Sequence, residues 1–242
     1  YSLDYLTFDV LTDGTIRWNH IGSVGRAIQY SINDGAWASI TASTASTISV
    51  TAGDKVRLKG TNNTYATDKN NYSGFDSGGT ATYNIEGNIM SLVYGDNFVG
   101  HTALTGTYNF CSIFKQAKCV SAENLVLPAT TLNDYCYRAM FSKCPNLVTA
   151  PALPATTLSK GCYWYMFEEC SITTAPDLLA ETLVAECYGW MFVKCASLNY
   201  IKCLAKTGFN TTNCKQGWVQ NVAASGTFVK DSTVSTSTWG RG

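Results

Sequence analysis

The chain has 242 residues with 17 basic and 17 acidic side chains, so its formal net charge is zero. That balance leaves no basic stripe for a nucleic-acid backbone, and no apolar run is long enough for a membrane-spanning helix. A chain of this length can bury one good core or two modest ones.

The first ninety or so residues read as short strands. Alternating segments run over Tyr5–Val10, Thr15–Trp18, Ala27–Ile32, Thr47–Val50, Lys55–Leu58 and Ala81–Ile85. Turn signals at Asp13-Gly14, Asn33-Asp34-Gly35, Ala52-Gly53-Asp54 and Ser77-Gly78-Gly79 separate them. Six or seven short strands predict an all-β sandwich of immunoglobulin or fibronectin type over residues 1–87. Trp18 and Trp37 are expected in its core or at its edge. No cysteine falls in this stretch, so an antibody-type disulfide is excluded. The segment Asp68–Asp76 is rich in oxygen ligands, but Tyr72 takes the fifth position and Gly74 comes one place late for an EF-hand loop. A polar hairpin or loop is the better reading. Gly22-Ser23-Val24-Gly25 has no helix pattern behind it and makes no phosphate cradle.

The apolar run Gly87–Tyr94 is expected to dock the first domain onto a second, residues 88–242. That second half repeats itself. Leu-Pro-Ala-Thr phrases, with Leu179-Ala180-Glu181-Thr182 in their place before the third copy, lead into Cys136-Tyr137, Met140-Phe141 and Cys144, then Cys162-Tyr163, Met166-Phe167 and Cys170, then Cys187-Tyr188, Met191-Phe192 and Cys195. Within each copy the Cys, Met and Cys positions are i, i+4 and i+8, and the Tyr and Phe positions i+1 and i+5. This spacing predicts a short amphipathic helix per copy. The proline-rich Leu147–Pro154 between copies suits an extended edge. One strand and one helix per roughly 25 residues predict a short α/β leucine-rich-repeat solenoid. Phe110, Ile113, Phe114 and Ala117 upstream, and Cys214, Trp218, Val219 and Val222 downstream, read as degenerate capping units.

Ten cysteines raise the question of disulfides. On a helix, positions eight apart are about 12 Å apart along the axis, beyond disulfide reach. The repeat cysteines therefore read as buried thiols acting as small hydrophobes. No CxxC occurs and the two histidines, His20 and His101, lie away from the cysteine clusters, so no metal and no cofactor are expected. Nucleophile motifs such as GxSxG, Walker loops and HExxH are absent, and the chain reads as a non-enzyme. The repeat face leaves other residues unexplained. Arg138, Trp164, Tyr165 and Trp190 fall roughly 130° from the core direction of the expected helices. They form either a ligand-binding patch or a set of side chains packed against one another.

The repeat wording Leu127-Pro128-Ala129-Thr130-Thr131-Leu132 followed by Cys136-Tyr137-Arg138-Ala139-Met140-Phe141-Ser142-Lys143-Cys144 resembles the BspA-type leucine-rich repeats of surface proteins from Bacteroides-like gut bacteria. Gly95-Asp96-Asn97-Phe98 and Gly226-Thr227-Phe228-Val229-Lys230 are similar to flanking phrases of the same proteins, and the strand-rich front part to their immunoglobulin-like modules. The resemblance implies a secreted or lipid-anchored extracellular protein of the cell surface, its signal or anchor removed from the chain as given. Non-catalytic adhesion to a host or bacterial surface protein or glycan follows as the leading expectation. Related wording in phage tail proteins keeps a receptor-binding role open, and a carbohydrate-binding module for glycan capture is the other alternative.

Overall fold

The computed structural model describes residues 3–239. Among the described residues nine strands precede the repeats: Leu6–Val10 (β1), Gly14–Ile21 (β2), Ala27–Ile32 (β3), Ala38–Thr41 (β4), Thr47–Val50 (β5), Lys55–Lys59 (β6), Ala66–Asp68 (β7), Asn71–Phe75 (β8) and Tyr83–Asn88 (β9). Three more follow: Asn124–Val126 (β10), Tyr200–Cys203 (β11) and Thr227–Lys230 (β12). The first sheet has the order β10-β9-β1-β6-β3-β4 and the second β5-β2-β8-β7, while β11 and β12 form a parallel pair. In the first sheet β1 is antiparallel to both neighbours, Phe8 standing opposite Val56 and Ile85.

The two larger sheets meet through aromatic side chains. Phe8 of β1 packs edge-on against Phe75 of β8 at 4.8 Å, and Trp18 of β2 lies 4.6 Å from the same ring. All three are fully buried. Trp37 is half-buried, edge-on to Tyr5 at 5.2 Å and beneath Lys59 Nζ at 4.2 Å. The segment read as a polar loop contains β8 and part of a tight hairpin. Asp68 closes its turn by accepting from the Asn70 N–H at 2.7 Å and from the Asn71 amide at 2.9 Å. That carboxylate is thereby committed to its own turn.

The repeats overturn the expected α/β leucine-rich-repeat solenoid. The α-helices among the described residues are two four-residue turns, Ser91–Tyr94 and Thr236–Trp239, and neither lies in a Cys-to-Cys segment. Those segments are successive turns in which one residue in four is left-handed: Tyr135, Ala139 and Lys143, then Gly161, Tyr165 and Glu169, then Glu186, Trp190 and Lys194. The intervening N–H groups of Arg138, Met140 and Ser142 bond back three residues, to the carbonyls of Tyr135, Tyr137 and Ala139. The N–H groups of Tyr137, Ala139, Phe141 and Lys143 point along the stack instead. They bond to the Cys162, Trp164, Met166 and Glu168 carbonyls of the next copy at 3.1, 2.7, 2.9 and 2.7 Å. A four-residue turn returns i, i+4 and i+8 to one side much as a 3.6-residue helix does, which is why the sequence pattern imitates a helix. A left-handed conformation costs an ordinary residue about 1–2 kcal/mol. The bonds to the neighbouring copy and the buried side chains offset that cost.

The stack has no break from the sheets. Tyr65 N–H bonds to the Asn109 carbonyl at 2.9 Å, Phe75 N–H to Ile113 at 2.7 Å and Ile85 N–H to Ser121 at 2.8 Å, while β10 adds in parallel to β9. Two columns of buried rings continue through it. One runs Tyr65, Phe110, Tyr137, Tyr163, Tyr188 and Trp218 at centroid spacings of 6.1 to 6.3 Å. The other runs Phe75, Phe114, Phe141, Phe167 and Phe192. All ten cysteines are buried and free.

Candidate functional site

The outward positions of these turns form columns because the backbone bonds hold successive copies in register. Ala139 N–H reaches the Trp164 carbonyl, Tyr165 N–H that of Gly189 at 3.1 Å, and Trp190 N–H that of Gln216 at 2.7 Å. Arg138, Trp164, Tyr165 and Trp190 are all half-buried, and the fold brings the four together. The Tyr165 and Trp190 rings are parallel within 9° at 6.1 Å, and Trp164 meets Tyr165 edge-on at 5.9 Å. Arg138 Cζ lies over the Tyr165 ring, 5.9 Å from its centroid.

Glycine makes room for two of these rings. A methyl group on Gly189 would lie 2.2 Å from the Trp164 ring, and one on Gly217 would lie 2.4 Å from the Trp190 ring. The broad faces of Tyr165 and Trp190 are therefore occupied, by Arg138, each other and Gly217. What these two rings offer outward is edges, which carry the positive end of the ring quadrupole. The chemistry of the strip is that of a firm, preorganised contact surface rather than an open stacking platform.

The structure adds residues that the sequence pattern did not single out. Tyr135 stacks on Tyr108 at 4.8 Å, and its hydroxyl donates to Glu186 at 2.9 Å. Tyr72 of β8 faces the same end of the strip, with Lys115 Nζ 5.8 Å from its ring centroid. Tyr72 and Lys115 are more than 40 positions apart, so no local pattern joins them. Tyr135 is visible in the sequence only as the residue preceding the first cysteine of its copy. Further along, Glu168 accepts a hydrogen bond from the Ser142 hydroxyl at 2.6 Å, and Glu169 pairs with Lys194 at 2.9 Å.

The thiols have a structural part. Cys144, Cys170 and Cys195 donate to the carbonyls of Phe114, Phe141 and Phe167 in the preceding copy at 3.0, 3.1 and 2.8 Å. Burial pushes the Cys136, Cys187, Cys195 and Cys203 thiols up to about 12. At neutral pH they are protonated and poor nucleophiles. His101 stacks on Tyr94 at 3.7 Å, and His20 Nδ1 lies 2.9 Å from the Gly22 carbonyl. Among the described residues, no group of three or more His, Cys, Asp and Glu side chains is arranged to hold a metal ion. No protein-family model, curated protein or solved structure matches the chain.

Proposed function

We propose that this chain is a non-catalytic recognition protein acting at a bacterial cell surface, with the outward strip of its stacked turns as the contact face. The observation that carries this reading is the contiguity of Arg138, Trp164, Tyr165 and Trp190, half-buried and locked in place by inter-copy backbone bonds. Residues ordered before binding lose little entropy on binding, so such a strip suits adhesion to a protein or glycan on another surface. The wording of the repeats supports an extracellular setting through its likeness to bacterial surface proteins.

The test is binding of the purified chain to immobilised matrix proteins and to a glycan array, repeated with a Trp164→Ala/Trp190→Ala variant whose melting temperature confirms folding. Loss of at least about tenfold in affinity, or roughly 1.4 kcal/mol, is expected for a centrally placed aromatic pair. Unchanged binding by the folded variant would place recognition elsewhere.

A further inference from the structure

The strip is not uniform in charge. At its sheet-proximal end Lys115, Arg138 and Lys143 come from two adjacent copies, and among the described residues none of the three forms an ion pair. Elsewhere on the strip the exposed lysines are neutralised, Lys194 by Glu169 and Lys160 by Glu186. The carboxylates near the three cations are Glu168, which is bonded to Ser142, and Asp76, which is held bidentately by Arg17 at 2.7 Å and by the Asn19 amide at 2.8 Å. Arg17 compensates Asp76, whereas Glu168 keeps its charge, so the three cations face one uncompensated carboxylate. Burial depresses the Lys115 pKa and the Lys143 charge lowers it further; Glu168 partly opposes this, and Arg138 adds to it. An incoming anion would relieve that repulsion.

The rest of the corner has the complementary chemistry of a hydroxyl-bearing ligand. Asn19, His20, Tyr72, Asp76, Ser112 and Lys115 line a cleft of about 20 Å³. That volume admits one water-sized group. Asn19 is buried and its Oδ1 has no hydrogen-bond partner. A hydroxyl in the cleft can donate to such an acceptor, whereas a bare carboxylate cannot. The outward ring edges beside Arg138 also favour negative charge over the apolar face of a neutral sugar.

We infer that the Tyr72, Lys115 and Arg138 corner binds an acidic saccharide, its carboxylate or sulfate on the two cations and a neighbouring hydroxyl directed at the Asn19 cleft. This rests on the reading of the strip as a recognition face and names the ligand class for one end of it. Uronate and sulfate-ester sugars present the same anion-plus-hydroxyl chemistry, and the experiment separates them.

The test is calorimetric titration of the whole chain with an oligogalacturonate, a heparin-type sulfated oligosaccharide, neutral maltohexaose and polyglutamate. It is repeated with Lys115→Gln/Arg138→Gln and, as a control off the strip, with Lys202→Gln on β11, where Lys202 pairs with Asp177 at 2.9 Å. The expected result is binding of one or both acidic sugars, weakening as salt is raised. The double variant should bind at least about tenfold more weakly and Lys202→Gln as the parent does. Which acidic sugar binds tells uronate from sulfate ester. Equal binding of maltohexaose, binding of polyglutamate as tight as that of the sugars, or acidic-sugar binding untouched in the double variant overturns the inference. If no oligosaccharide binds while a matrix protein is still captured through Trp164 and Trp190, the acidic-sugar inference falls and the recognition reading stands. Silence from every probe overturns both. Thermal melts of each variant separate lost contacts from lost folding.

Discussion

The cysteines show how a single residue type is chosen by two demands at once. Each stacked position needs a small side chain that fills the interior, and Cys144, Cys170 and Cys195 also supply a donor to the phenylalanine carbonyl of the preceding copy. Their burial fixes a pH dependence. The folded thiols of Cys136, Cys187, Cys195 and Cys203 titrate near 12, against about 9 when free. Between these values the folded chain holds more protons than the unfolded one, so stability falls as pH rises. The stabilisation is fully present below about pH 9 and lost as pH climbs toward 12. Urea titrations at pH 7, 9, 10 and 11 should show a falling midpoint, and a midpoint constant across that range would contradict the burial. At neutral pH a thiol reagent such as DTNB should leave the folded chain untouched and label all ten cysteines in denaturant.

At the level of the element, the repeat turn is held by bonds to its neighbours rather than by its own sequence preference. Ordinary residues such as Tyr135, Ala139 and Glu186 adopt left-handed conformations there, so propensity gives little warning of them. The glycines that do occur have specific partners. Gly189→Ala should push Trp164 from its seat and cost roughly 1–3 kcal/mol, the range for overpacking a filled site. In the Gly189→Ala/Trp164→Ala double variant the clash disappears, so the two losses should be clearly less than additive. Chemical denaturation of the four members of this cycle checks it, and strict additivity would mean that Trp164 does not lie against Gly189. The same dependence on neighbours explains what was legible in the candidate site. Arg138, Trp164, Tyr165 and Trp190 stood out because the buried-face pattern left them over. Tyr72 and Lys115 did not, because only the packing of β8 on the upstream capping unit, and of that unit on the first copy, brings them near Arg138.

On the scale of the molecule, the strand-rich front part and the repeats share one hydrophobic cluster, from Leu6 to Trp239. The parallel pairing of β10 with β9 and the unbroken ring columns tie the halves into one ladder. Unfolding should therefore be a single transition, with near-ultraviolet and far-ultraviolet circular dichroism changing at the same denaturant concentration. Two separated midpoints would show that the halves unfold independently.

By itself the sequence determined the length of the repeat, the identity of the buried side chains and the strand-rich character of the first part. These follow from hydrophobic periodicity and turn residues, which are local properties of the chain. Only the tertiary structure decided that the repeats are four-residue turns rather than helices, and that cations from two copies share a corner with β8. The reason is the same in both cases. The deciding contacts join residues about 25 or more positions apart, such as Tyr137 with Cys162 and Tyr72 with Lys115, and a spacing of four residues is shared by both backbones.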